Sequence, residues 1–132
     1  MWLSQLVCTE RFSTDIRRKM KVSTMTPQPG EFWVADVPFT QGRASKKRPV
    51  LVLWLDGHNA VVAAVTSAGP RSVTDVPLME WQASGLRLAS TLRLSCLDCF
   101  EQSLLFNRLG HIGPQDAERV RTIWQQHVQP QF

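Results

Sequence analysis

Two apolar runs, residues 49–55 and 60–65, flank Asp56-Gly57-His58-Asn59, and this pattern constrains the chain more than any other. Aliphatic and β-branched residues on either side of an Asp-Gly turn signal predict an antiparallel hairpin. Pro49 fits as the first residue of a strand, where a missing N–H does least damage. The hairpin also limits register, because facing residues in antiparallel strands keep a constant index sum. Loops of 56–57, 56–58 or 56–59 give sums of 113, 114 or 115. Arg48 and Thr66 sum to 114, so they stand opposite or one step off under any of these turns. Direct pairing on one face puts Cβ atoms about 4.5–5.5 Å apart. A guanidinium and a hydroxyl thus meet at the open end of the hairpin. Such a pair suits a phosphate, since arginine offers a bidentate fork and the hydroxyl one further donor.

The segment Gly42-Arg43-Ala44-Ser45-Lys46-Lys47-Arg48 reads as a polar loop that delivers four cations to the start of this strand. The formal net charge of +4 is uninformative by itself. Most of it sits in residues 1–28, where Arg11, Arg17, Arg18, Lys19 and Lys21 face only Glu10 and Asp15. Only the local cluster Arg43, Lys46, Lys47 and Arg48 argues for a polyanionic partner. Taken alone it also suits a solvated strand start that resists aggregation. The register with Thr66 and the motifs around it shift the balance toward a site.

At 132 residues, 43% hydrophobic and 20% charged, the chain is expected to form one globular domain. Residues 1–28 show no clean periodicity and end in Thr26-Pro27-Gln28-Pro29-Gly30. They read as a flexible or loosely helical extension, with the domain over residues 29–132. Beyond the hairpin, strands are expected at 32–37, 71–78 and 86–94, with a strand or short helix at 103–112. From Pro114 onward the pattern is helical. Proline suits the first helical position, and Ala117, Val120, Ile123, Trp124 and Val128 share one face. Short strands with frequent turns, closed by one packing helix, imply a mainly β fold, a small barrel.

Several of these segments together resemble PemK/MazF-type toxins of type II toxin–antitoxin modules. The resemblance rests on the strand that opens with Gly30 and Trp33, and on Pro38-Phe39-Thr40 and Lys47-Arg48-Pro49. It extends through the Thr66-Ser67 pair, Gly85-Leu86 with Ser90-Thr91-Leu92-Arg93, and Arg108-Leu109-Gly110. It implies an SH3-like barrel that cleaves single-stranded RNA through the adjacent 2′-hydroxyl, with neither metal nor other cofactor. Arg48, Thr66 and Arg93 would then be catalytic, and Arg43, Lys46, Lys47 and Ser67 would bind RNA. The same resemblance implies a homodimer, a cognate antitoxin, and operator DNA contacted through the antitoxin complex. The alternative is a non-catalytic barrel of this fold that binds RNA or a peptide.

One position departs from the family pattern. Many members carry an aspartate two residues after the strand arginine, where this chain has Ser95. Serine at neutral pH cannot act as the general base that a carboxylate can. Either Asp98 takes that part after a local shift, or electrostatic stabilisation by Arg48 and Arg93 suffices. Cys96-Leu97-Asp98-Cys99 has a metal-site spacing, yet no second pair exists and the three histidines are far apart. These cysteines read as inert thiols, and with no apolar run long enough to span a membrane the chain reads as cytoplasmic.

Overall fold

The computed structural model describes residues 26–38 and 45–132, with the side chains at 37, 38, 45 and 46 outside that description. Six strands, β1 (Glu31–Pro38), β2 (Ser45–Asp56), β3 (Asn59–Thr66), β4 (Asp75–Pro77), β5 (Thr91–Glu101) and β6 (Leu105–His111), precede one helix, α1 (Pro114–His127). They form one antiparallel sheet in the order β4-β5-β3-β2-β1-β6. The central hairpin turns on Gly57 and His58, with Asp56 facing Asn59 and Gly57 at φ 62°. A positive φ at the first central residue matches the tight hairpin turns that follow the strand twist. A bulge at Leu53 then lowers the index sum by one, so that Val52 faces Val62 and Val50 faces Ala64. The ladder ends at Val50–Ala64, two residues short of Arg48 and Thr66, which pair instead with Ala35 of β1 and Thr91 of β5.

Burial explains why these two strands lack a polar alternation. Leu51 and Ala63 belong to one core with Phe32, Leu92 and Leu94, against which the predicted helix face packs. Val50, Val52, Ala60 and Val62 belong to a second core on the opposite face, with Trp33, Phe100 and Leu105. Strands covered on both faces read as continuous apolar runs. Their cover comes from a sharp curl. β5 and β6 lie four places apart, about 19 Å in a flat sheet, yet only Gln102–Leu104 join them. That link spans at most about 14 Å. The sheet therefore curls over itself, while β4 and β6 remain unpaired edges and the barrel stays open.

The cations expected in a loop are in fact strand residues. β2 begins at Ser45, and Lys47 and Arg48 pair in register with Asp36 and Ala35 of β1. The expected strand over 71–78 shrinks to Asp75–Pro77, while β5 starts only at Thr91 and takes in Cys96 and Cys99. Residues 103–112 resolve into a short 3₁₀ turn and β6. The expectation for residues 1–25, and that for Arg43, lie outside the described residues.

Two glycines account for the loop that replaces the expected strand at 86–90. Gly85 has φ 89°, and a Cβ there would stand 2.0 Å from the Leu109 carbonyl oxygen. A Cβ on Gly110 would stand 2.1 Å from the Ser84 carbonyl oxygen. The backbones thus cross with no room for side chains, which fixes residues 85–90 against β6. The helix start is held by a similar reciprocal contact. Gly113 offers no side-chain cap, so Glu80 accepts the N–H groups of Gln115 and Asp116 at 3.0 and 3.1 Å. Asp116 in turn accepts those of Met79 and Glu80 at 3.0 and 2.8 Å. The orphan donors of the first turn are satisfied from a distant loop. Gly110→Ala should cost about 1–3 kcal/mol from overpacking. Urea unfolding checks this, and a wild-type midpoint would contradict the close crossing.

Candidate functional site

The ends of the strands and the loop at 85–90 line a cleft of about 770 Å³, a volume suited to a small ligand or a nucleotide. Lys47, Arg48 and Pro49 reach it from β2, Thr66 and Ser67 from the end of β3, and Arg93 and Cys96 from β5. Phe106, Asn107 and Leu109 line it from β6, and Arg87, Leu88 and Ser90 from the glycine-anchored loop. All three residues assigned as catalytic from the sequence therefore share one cavity. So do Lys47 and Ser67. Lys46 lies in β2 with its side chain outside the description, and Arg43 lies outside the described residues.

Electrostatics sets this cleft apart. Four cationic side chains line it, Lys47, Arg48, Arg87 and Arg93, and among the described residues no carboxylate or imidazole does. Arg48 is exposed on β2. Thr66 Oγ1 accepts the N–H of Ala68 at 3.2 Å, which leaves its O–H to donate to an anion. Arg93 is the anchored member. Its Nε donates to Asp75 Oδ1 at 3.3 Å from the strand alongside, and Asp75 faces Arg93 in the β4–β5 ladder. Held through Nε, the guanidinium keeps its terminal NH₂ groups for a ligand.

Asp75 is buried, with its side chain 1% exposed. Burial alone would raise its pKa, but the Arg71 N–H and the Arg93 guanidinium outweigh that and hold it below the ordinary carboxylate value. A similar balance operates at Glu31. There burial is overcome by hydrogen bonds from Arg108, the Trp33 indole and the Gln28 N–H. This second pair fastens β6 to β1.

Ser95 does not line the cleft. Between the Ala64–Arg93 and Ala63–Leu97 pairs, β5 carries three extra residues, 94–96. Strict alternation does not hold there, and it is Cys96 that lines the cleft. Asp98 does not take over either. It is exposed, faces Val62, and accepts the N–H of Cys99. The carboxylate that meets Arg93 is Asp75, from a segment whose sequence gave no sign of it. Arg87 and Ser90 were equally hidden, because their segment read as strand. Cys96 and Cys99 are exposed free thiols. Trp81 packs against the helix-side core.

Residues 28–128 match the family described as PemK-like, MazF-like toxin of type II toxin-antitoxin system. The chain belongs to this family. No curated protein matches the sequence. Solved structures agree on the fold. An endoribonuclease from a mycobacterial species superposes with a TM-score of 0.62 at 13% identity, covering 83% of this chain and 98% of that one. MazF from Deinococcus radiodurans gives 0.61 at 17% identity over 80% and 98%. A mycobacterial endoribonuclease in complex with its cognate antitoxin gives 0.60 at 15% identity over 79% and 97%. In this PemK/MazF-family chain the strand arginine is thus braced by an aspartate on the neighbouring strand, Asp75.

The lowered pKa of Asp75 has a defined consequence for stability. The folded state binds this proton less readily than the unfolded one. Its contribution is present above the unfolded pKa of about 4 and is lost as pH falls through the lower folded value. Thermal unfolding of the wild type should weaken below about pH 4. Asp75→Asn should melt lower at neutral pH and decline less steeply in acid. Parallel acid slopes for the two proteins would contradict the assignment.

Proposed function

We propose that this PemK/MazF-family toxin is a metal-independent endoribonuclease that cuts single-stranded RNA. The observation that carries the reading is the cleft that Arg48, Thr66 and Arg93 line together, with four cations and no acid among its described lining residues. Such a surface attracts a phosphodiester backbone and stabilises charge that develops on it. In the reaction, the 2′-oxygen attacks the adjacent phosphorus and its proton leaves to solvent. The bond from phosphorus to the 5′-oxygen breaks, and that oxygen takes a proton from water. The products are a 2′,3′-cyclic phosphate and a 5′-hydroxyl.

Arg48 holds the non-bridging oxygens of the pentavalent phosphorus through its planar fork. Thr66 donates its O–H to the same group or to the 2′-oxygen. Arg93, oriented by Asp75, neutralises charge on the departing oxygen; its high pKa makes it a poor proton donor. Lys47 and Ser67, with Arg43 and Lys46, hold the flanking backbone. Phosphoryl transfer of this kind depends on alignment and charge neutralisation, which fixed cations supply without a cofactor.

Membership in the family further supports a homodimer in the cytoplasm, an antitoxin that covers the RNA cleft, and operator DNA contacted through the toxin–antitoxin complex. Among the described residues no helix is long and apolar enough to cross a membrane. The working domain is residues 29–132, with residues 1–28 an extension to it. The absence of a carboxylate among the described lining residues favours one second reading, a barrel that binds RNA without cutting it. RNA cleavage in EDTA separates the two. The wild type should cut, and binding without cutting would favour the binding module.

Arg48→Ala should slow cleavage about 100-fold or more, with an unchanged circular dichroism spectrum, because it removes a contact that strengthens in the transition state. Thr66→Ala should lose less. A folded Arg48→Ala protein that cuts within a few-fold of wild type would remove Arg48 from the mechanism.

A further inference from the structure

We infer that Phe106 is a stacking platform for one nucleobase of the bound strand, with the Lys47 ammonium beside it for an adjoining phosphate. The inference rests on the RNA reading above only for the choice of ligand. Its geometry stands independently. In the β1–β6 ladder Ala35 faces Leu105 and Val34 faces Asn107, which leaves Phe106 as the extra residue of a β-bulge. Bulges re-aim side chains and recur beside active sites. Here Leu105 is buried in the second core while Phe106, the next residue, is 50% exposed and lines the cleft. A phenyl ring held half in water forgoes burial that the core next to it offers. Lys47 Nζ stands 5.3 Å from the ring centroid, within cation–π range. Asn107 also lines the cleft and supplies an amide that can both donate and accept.

These features select one class of ligand. An apolar or acidic peptide would use the ring or the charges, but it offers no flat π-face spaced regularly along a polyanion. A duplex offers the charges while keeping its bases stacked inside. A single strand offers both, and proteins that hold single strands combine cationic grooves with exposed aromatic rings in this way. The platform follows Lys47 and Arg48 along the cleft wall. Phe106 therefore acts on the strand near the reacting phosphate rather than on that phosphate, as a positioning residue.

The test uses the full-length protein and two strands of equal length and charge. One is mixed-sequence 2′-O-methyl RNA, which cannot be cut through its 2′-oxygen. The other is an abasic phosphodiester built from tetrahydrofuran spacers. Phe106→Ala should bind the RNA about 5- to 150-fold more weakly and the abasic strand as wild type does. Phe106→Leu keeps apolar bulk without a π-face and should lose most of the same affinity, whereas Phe106→Trp should retain it. Unchanged RNA affinity in Phe106→Ala overturns the proposal. Equal loss on both strands also overturns it, since the ring would then serve only to place Lys47. Unchanged RNA affinity together with a shift from dimer to monomer in sedimentation would assign the ring to a protein contact instead. Cutting of unmodified RNA by the wild type tests the nuclease reading separately. Base-dependent binding without cutting would leave the platform standing and overturn the nuclease.

Discussion

The three residues Gln102–Leu104 join strands that lie four places apart in the sheet, and the rest of the molecule follows from that short tether. A flat sheet cannot be spanned by so short a link, so the sheet must curl. Curling buries Val50, Val52 and Val62 beneath Phe100 and Leu105 on one side. It also brings Arg93 of β5 and Phe106 of β6, from opposite flanks of the sheet, to one cavity with Arg48 between them. The hairpin could form without this link, but the cleft could not.

The cleft gathers positive charge, and the fold keeps its counterions behind the surface. Asp75 is buried under Arg93, and Glu31 is buried beside Arg108 and the Trp33 indole. Each carboxylate is held ionised by its partners despite burial; Asp75 fixes an arginine of the cleft, and Glu31 fixes Arg108, which ties β6 to β1. A carboxylate in the lining would repel the substrate. The absence of an aspartate at Ser95 is consistent with this division. Orientation of Arg93 comes from the neighbouring strand, and among the described residues no acid lines the cleft, although Asp36 shares a small adjoining pocket with Lys47 and Phe106.

The hairpin was legible because it depends on local turn chemistry; its register was narrowed to three sums, and the bulge at Leu53 that shifts it was not legible. The helix face was legible because Ala117, Val120, Ile123, Trp124 and Val128 recur at helical spacing. Features that depend on contacts distant in sequence were not. Residues 86–90 carry the apolar pattern of a strand, but the crossing of Gly85 and Gly110 holds them as a loop and delivers Arg87. The three extra residues at 94–96 break the register of β5, which local patterning gave no sign of. The bulge at Phe106 exposed a ring that alternation alone leaves ambiguous. Asp75 became an arginine partner only through pairing of a three-residue strand. The barrel itself was legible as a class, while its open edge depends on strands that never pair.

The central claim is that fixed cations suffice for the reaction, with no acid or imidazole among the described residues that line the cleft. The pH dependence of the cleavage rate tests this most directly. A cleft without a carboxylate or imidazole should give a rate that rises smoothly with pH, with no inflexion between about pH 4 and 8. A bell-shaped profile, or a limb near the pKa of a carboxylate or a histidine, would contradict it and require a titrating group at the reacting phosphate.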